Sequence, residues 1–152
     1  MGCAGSDSRA LYLAGPQRTV AIAMDKLGKA GSPILWDKPC SEGAQCPTPA
    51  ITNGLLLDVS DMGRIYCIDT QTGAELWNLP TMSQHYVSPV VVGPLVYFTD
   101  TKGNTTIVQA ARKLKVVARN SLADPDFATP APVEESLYFR TKGYVWRVGD
   151  KE

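Results

Sequence analysis

Prolines, glycines and short apolar runs recur along this chain at intervals of about forty residues. Thr48-Pro49-Ala50, Ser88-Pro89-Val90 and Thr129-Pro130-Ala131 mark three equivalent points, whose prolines are 40 and 41 residues apart. Three glycines keep the same period: Gly63, Gly103 and Gly143. Such a period is typical of stacked or radial β-repeats, because each unit has an apolar sheet face that only its neighbours cover.

The apolar centre of each unit is repeated too, and it indicates a fourth copy near the N-terminus. Leu55-Leu56-Leu57, Val96-Tyr97-Phe98 and Leu137-Tyr138-Phe139 match one another, and Leu11-Tyr12-Leu13 matches all three. By this alignment Tyr12 corresponds to Leu56, which lies 44 residues later, whereas the two later intervals are 41 residues. The extra residues fit the turn-like segment 26–32, where an insertion costs little.

Each full unit is predicted to contain four short strands in an antiparallel meander. In the second unit, Asn53-Gly54 and Asp61-Met62-Gly63 supply the positive φ of tight turns between strand-forming runs. Nothing before residue 8 resembles an innermost strand of the first unit, and the last unit stops before its fourth strand. The expectation is one domain over 1–152 with repeats at about 9–39, 47–80, 87–120 and 128–149, containing about fourteen strands and no helix.

The composition is that of an ordinary globular domain, with 15 basic and 15 acidic residues among 152. This balance gives no electrostatic reason to bind nucleic acid or anionic lipid. No window approaches the roughly 18 apolar residues of a membrane span, and the first residues lack the regions of a signal peptide. Met1-Gly2 with Ser6 fits a short N-myristoylation pattern and Cys3 could be a lipoprotein's acylated residue, but a start just ahead of the first strand is the simpler interpretation.

The four cysteines and the single histidine do not form a metal-binding pattern. No C-x-x-C occurs, and His85 is far in sequence from every cysteine. Cys40 and Cys46 could close a small disulfide loop in an oxidising compartment or stay reduced, so the compartment is left open. Cys67 lies in an alternating strand and is interpreted as a small core residue.

The segment 63–77, GRIYCIDTQTGAELW, closely resembles the pyrroloquinoline-quinone-like (PQQ-like) β-propeller repeat. The hallmark of that repeat is G-x-I/L-Y-A-L/I-D-x-x-T-G-x-x-x-W, and the matching residues are Gly63, Tyr66, Asp69, Thr72, Gly73 and Trp77. In such repeats the Asp and Thr-Gly shape the turn between the third and fourth strands, and the Trp packs between adjacent blades. Trp36, which is 41 residues before Trp77, holds the same position in the first unit.

The resemblance extends over about residues 11–149 and implies the fold. The last two units lack the D-x-x-T-G-x-x-x-W ending and look like the C-terminal blades of the cofactor-free propellers found as outer-membrane assembly lipoproteins. The resemblance therefore implies an all-β β-propeller of about four sequential four-stranded antiparallel blades. It corresponds to the C-terminal half of an eight-bladed, quinoprotein alcohol dehydrogenase-like ring.

No cofactor, metal ion or catalytic residue is predicted. Quinoprotein dehydrogenases of this family hold the quinone on the ring axis with Ca²⁺, beneath a disulfide between adjacent cysteines, and this chain has no adjacent cysteines. Trp146 falls in a third-strand position, where packing is the simpler role than a quinone platform. His85 has no identifiable Cys, Ser or carboxylate partner, and Asp61, Asp69 and the Asp124-Pro125-Asp126 segment have turn-forming explanations.

The predicted function is that of a non-catalytic repeat scaffold that binds protein, in a bacterial cell envelope as the resemblance implies. The alternative is a fragment or subunit of a PQQ-dependent quinoprotein dehydrogenase. An open arc of four blades leaves sheet faces and strand edges uncovered at both ends. We therefore expect a protein partner or self-association through the open ends, with a homodimer as one possibility.

Overall fold

The computed structural model describes residues 3–40, 47–81, 83–124 and 128–149. These residues form fifteen strands and one 3-10 turn at Met24–Lys26, with no α-helix among them. The strands are β1 Cys3–Ser6, β2 Ala10–Ala14, β3 Arg18–Ala23, β4 Ile34–Pro39, β5 Ala50–Thr52, β6 Leu55–Val59, β7 Arg64–Asp69, β8 Glu75–Pro80, β9 Val90–Val92, β10 Leu95–Thr99, β11 Asn104–Gln109, β12 Val116–Ser121, β13 Ala131–Val133, β14 Ser136–Arg140 and β15 Val145–Gly149.

The strands form four sequential antiparallel sheets, each a simple meander. Blade 1 is β1-β2-β3-β4, blade 2 is β5-β6-β7-β8, blade 3 is β9-β10-β11-β12, and blade 4 is β13-β14-β15. Contacts between sheets bring together their first strands, β1 with β5, β5 with β9 and β9 with β13. The first strands are therefore innermost and the sheets radiate from a common axis, which makes the chain a partial β-propeller and confirms the predicted fold class.

Blade 1 has four strands, so the prediction of three strands for the first unit was wrong. The innermost strand β1 pairs with β2 from Cys3↔Ala14 to Ser6↔Leu11. Its sequence, CAGS, consists of small residues with weak strand propensity, and pairing with β2 rather than its own composition makes it a strand. Blade 4 has three strands in the described part of the chain, in agreement with the sequence.

The repeat alignment shifts by one residue in the structure. Tyr12 pairs with Ala21, Leu57 pairs with Cys67 and Tyr97 pairs with Ile107, and a bulge follows each of these pairs on the outer side. Tyr12 therefore corresponds to Leu57 and not to Leu56 as the apolar triplets suggested. All five residues of β6 are buried, so its apolar pattern carries no information about which residue faces which neighbour.

Three apolar layers hold the four blades together. Tyr12 and Trp36 of blade 1 pack with Leu56 of blade 2 in the first layer. The second and largest layer joins the other face of blade 2 to Val96, Phe98 and Val108 of blade 3. The third joins Val90 of blade 3 to Leu137 and Phe139 of blade 4. Blade 2 is thus covered on both faces, whereas the outer faces of blades 1 and 4 have no neighbouring blade within the described chain.

Candidate functional site

The tryptophan of each of the first two blades contacts the next blade. The Trp36 indole Nε1 donates a hydrogen bond of 2.8 Å to the Thr70 carbonyl, at the turn between β7 and β8. Its ring lies directly on Gly73, where a Cβ would come within 2.7 Å of two ring atoms. A residue larger than glycine at this turn would therefore push Trp36 out of its place between the blades.

Trp77 makes the same kind of contact one blade later, although the acceptor sequence is different. Its Nε1 donates to the Ala111 carbonyl at 3.0 Å, and Ala111 is separated from Trp77 by the same 34 residues as Thr70 from Trp36. Blade 3 lacks the Asp-x-x-Thr-Gly turn, but the contact needs only a backbone carbonyl. Loss of the motif in the sequence therefore does not remove the contact.

Asp69 organises the turn that receives Trp36 and also joins blade 2 to blade 3. Its Oδ1 accepts hydrogen bonds from the Gln71 and Thr72 backbone amides and from the Thr72 hydroxyl at 2.9–3.0 Å. Its Oδ2 forms an ion pair with Arg112 of blade 3 at 2.5 Å. The guanidinium of Arg112, aided by the hydrogen bonds of the turn, lowers the pKa of Asp69 to about 2. Arg112 could not be identified from the sequence. The only indication of its role is that it follows Ala111, which accepts the hydrogen bond from Trp77.

The repeating glycines lie where the chain crosses from one blade to the next. A Cβ on Gly63 would collide with the Ser83 carbonyl oxygen, and one on Gly103 would collide with the Asp124 carbonyl oxygen. Both have positive φ, +89° and +83°, which side chains rarely adopt. Gly143 differs, since its backbone amide donates to the Asp124 carboxylate at 3.2 Å and its φ is not positive.

His85 is buried in the linker between blades 2 and 3. Its Nδ1 lies 3.0 Å from the Thr99 carbonyl and its Nε2 lies 2.9 Å from the Thr81 hydroxyl, which also contacts the Gly63 carbonyl. Because a carbonyl only accepts, Nδ1 carries the proton. Burial lowers the pKa of His85, so the imidazole is neutral near pH 7. The ring thus bridges the linker to blade 3 as a structural residue.

A polar cleft of about 370 Å³ opens beside His85, between the end of blade 2 and the outer half of blade 3. Asp100 lies in it, but its carboxylate accepts bonds from the Lys102 and Asn104 amides and from the Asn104 side chain. Burial opposes the ionisation of Asp100, and the hydrogen bonds from Asn104 outweigh it and keep the pKa below its usual value. The acid and the imidazole of this cleft are therefore both engaged in structural hydrogen bonds.

The remaining sequence candidates lie apart from one another. Tyr66 is buried in β7, and Cys67 beside it is a fully buried core residue, as predicted. Burial raises the pKa of the Cys67 thiol to about 12. Trp146 donates its Nε1 to the Thr141 hydroxyl in blade 4. Whether Cys40 and Cys46 form a disulfide or stay reduced falls outside the described residues, because Cys46 is not among them.

Asp58, which clusters in the sequence with Asp61 and Asp69, is 5% exposed, as is Asp100. Asp58 pairs with Tyr66 across the sheet, as Phe98 pairs with Thr106 and Phe139 with Trp146, so an acid stands in blade 2 where blades 3 and 4 have phenylalanine. Burial raises its pKa to about 7, against the hydrogen bond of 2.9 Å from the Val59 amide.

Trp146 and the acidic, histidine and cysteine side chains are the residues that bear on a cofactor or metal site. Trp146 lies on the third strand of its blade, away from the innermost strands that line the axis, so it does not fit the role of a quinone platform. Within the described ranges, no group of three or more His, Cys, Asp and Glu side chains could hold a metal ion. Neither Trp146 nor such a group of side chains in the described ranges therefore offers the quinone platform or the Ca²⁺ ligands of that family. The described part of the chain also contains no helix of the length and apolarity that a membrane span requires.

The fold is similar to that of several solved propeller-type structures. BamB from Moraxella catarrhalis shares 15% identity with a TM-score of 0.75, over 91% of this chain and 42% of that one. The quinohemoprotein alcohol dehydrogenase ADHIIG from Pseudomonas putida HK5 shares 16% identity with a TM-score of 0.68, over 90% of this chain and 27% of that one. The computationally designed Ika4 protein shares 11% identity with a TM-score of 0.72, over 97% of this chain and 90% of that one.

The chain thus spans less than half the length of the two natural proteins, and identities this low establish the fold alone. No protein-family model matches the chain. No curated protein matches it either.

Proposed function

We propose that this protein is a non-catalytic β-propeller scaffold of the bacterial cell envelope that binds a partner protein through one rim. In a meander, the turns between the second and third strands and the linkers between blades lie at the same end of every sheet. We call this end the linker rim, and the part of it that concerns us is residues 61–63, 81, 83–88, 101–103 and 142–144. The observation that carries the proposal is a set of exposed, large apolar side chains on this rim.

Met62 is 73% exposed, Tyr144 is 66% exposed and Tyr86 is 48% exposed. They belong to blade 2, blade 4 and the linker between blades 2 and 3, so they are spread along the rim instead of forming one local turn. Aromatic residues and methionine are enriched where proteins bind one another. Broad rims of repeat sheets are suited to such contacts. The scaffold role and the envelope location are also what the family resemblance implies.

A non-catalytic role is supported by the hydrogen bonds and ion pairs that the acidic and imidazole side chains make within the fold. Asp69, His85 and Asp100 each make hydrogen bonds or ion pairs that hold a turn or join two blades. A general base or nucleophile needs a reactive atom that is available to a substrate. In these three groups the polar atoms are already bonded within the fold, so they are not available to a substrate.

Site-specific photocrosslinking tests the rim. A benzoylphenylalanine in place of Tyr86 or Met62 should give a discrete protein adduct in the cells that produce the protein. The matched control is the same substitution at Leu114, which is 40% exposed in the β11–β12 turn at the opposite end of the sheets. Equal labelling from Leu114, or no adduct from either rim position, would refute the proposal.

The alternative function, a fragment or subunit of a PQQ-dependent dehydrogenase, is favoured by the similarity to the alcohol dehydrogenase fold. Equilibrium dialysis against pyrroloquinoline quinone with Ca²⁺ separates the two. The scaffold proposal expects no retention of quinone above a serum albumin control. Stoichiometric, Ca²⁺-dependent retention would replace the scaffold with the dehydrogenase.

A further inference from the structure

We propose that two copies of this chain close one ring, with the open face of blade 1 in each copy packed on the open face of blade 4 in the other. This inference goes beyond the scaffold function and does not depend on the linker rim. It rests on the interfaces that the four blades already form within one chain, and on the residues that the two open faces present.

The open face of blade 1 has the side chains of a buried interface. Leu11 pairs with Ile22 and Leu13 pairs with Val20, which places these four on the face that has no neighbour. Leu13 is 39% exposed, and the other three are half-buried. Four aliphatic residues in two adjacent strands form an apolar patch that would be costly to leave in water.

The corresponding positions in the other blades face the preceding blade, and all but Val148, which is 44% exposed, are buried or half-buried there. They are Leu56 and Ile68 in blade 2, Val96 and Val108 in blade 3, and Leu137 and Val148 in blade 4. Leu56 and Val96 are 0% exposed, and Leu137 is 7% exposed. Blade 1 therefore carries the same apolar positions as the other blades, and no blade of the described chain covers them.

The open face of blade 4 presents the complementary positions. Tyr138 occupies the place of Tyr97, and Ala131 and Val133 occupy the places of Val90 and Val92. In blade 3 these residues pack on Leu137 and Phe139 of the next blade. Tyr138 and Val133 are exposed in the single chain. By the same packing, Leu13 of one copy would contact Tyr138 of the other, because Leu13 occupies the place of Phe139.

The geometry favours two copies over an open chain of copies. The four blades superpose on 42% of BamB, a little under half of that molecule. In a ring of eight blades each step turns by about 45°, so four blades turn by about half a circle. Two identical junctions related by a two-fold axis then close the ring and stop further growth.

Light scattering on the full chain tests the closure. The expected mass is that of two chains. Leu13→Asp and Tyr138→Asp should each weaken association at least tenfold, whereas Leu114→Asp, on the exposed β11–β12 turn, should leave the dimer intact. A monomer, an open polymer, or a dimer that survives both face variants would overturn the proposal. Circular dichroism of each variant shows whether it keeps the strand content of the wild type.

A crosslink places the interface directly. In a chain with Cys3→Ser, Cys40→Ser and Cys46→Ser, the single variants Leu13→Cys and Tyr138→Cys are mixed and treated with a short bismaleimide. The mixture should give a covalent dimer in several-fold higher yield than either variant alone. A dimer by light scattering without this crosslink would show that the copies meet elsewhere, and would overturn the assigned faces.

Discussion

Asp58 is the single residue whose chemistry departs most from its surroundings. It occupies a position that is phenylalanine in the next two blades, and burial raises its pKa to about 7 from an ordinary value of 3.8. The folded protein therefore retains a proton that the unfolded chain releases near pH 4. Linkage then requires the free energy of unfolding to fall as the pH rises from about 4 to about 7.

Asp58→Asn should remove this pH dependence, because the amide keeps the shape of the protonated acid and cannot ionise. We expect the variant to be more stable than the wild type at pH 8, by on the order of 1–4 kcal/mol, and close to it at pH 4. Urea unfolding at several pH values measures both. Asp25→Asn, in the exposed Met24–Lys26 turn, is the control and should follow the wild-type profile. A loss of stability between pH 4 and pH 7 in Asp58→Asn that parallels the wild type would contradict the assignment.

Among the elements, the linkers determine where the repeat glycines must be. The linker after blade 2 passes over Gly63, whose carbonyl accepts the Thr81 amide at 2.7 Å, and the linker after blade 3 passes over Gly103 in the same way, with the Leu122 amide at 3.1 Å. Gly63→Ala should cost both the strain of a positive φ and a collision with the Ser83 backbone. Gly93→Ala is the matched control, because Gly93 also has positive φ, +55°, and nothing within 4 Å of a Cβ.

Gly93→Ala should destabilise the protein by about 1–2 kcal/mol, the usual cost of a left-handed alanine, and Gly63→Ala by clearly more. The difference between the two midpoints of chemical unfolding, converted to free energy, measures the collision alone. Equal losses from both substitutions would mean that the linker moves aside without cost.

How far the sequence predicts these elements depends on what each contact requires. Repeat spacing predicts the four sheets, and turn chemistry predicts the positions of Asn53-Gly54 and Gly63, because both depend on residue types. The contact of Trp77 with Ala111 needs only a backbone carbonyl, so no residue type in the sequence indicates where it forms. The ion pair of Asp69 with Arg112 joins residues 43 apart, and β1 is a strand because β2 pairs with it. A pattern of residue types within a short stretch of sequence therefore does not predict contacts made by the backbone or between blades.

In the whole molecule, burial falls from the middle of the arc towards its ends. Every residue of β6 in blade 2 is buried, whereas every residue of β15 in blade 4 is exposed. In a repeat protein each unit is stabilised by its own packing and by its neighbours, so a terminal blade with one neighbour should open more often than an internal blade with two. Native-state hydrogen exchange of the wild type should therefore be slowest in β6 and β7 and fastest in β15.

Closure of the ring predicts a specific change in these exchange rates when an open face is mutated. That change distinguishes a closed ring from an open arc whose ends fray. If two copies cover the open faces, Leu13→Asp should increase exchange in β2 and β3 of blade 1 and in β14 of blade 4, the strands that carry those faces, while β6 keeps its protection. If the end blades are uncovered in the wild type as well, the wild type and Leu13→Asp should show the same exchange in these strands. Faster exchange in β6 as well would mean instead that the substitution weakens the whole fold, because β6 does not contribute to either open face.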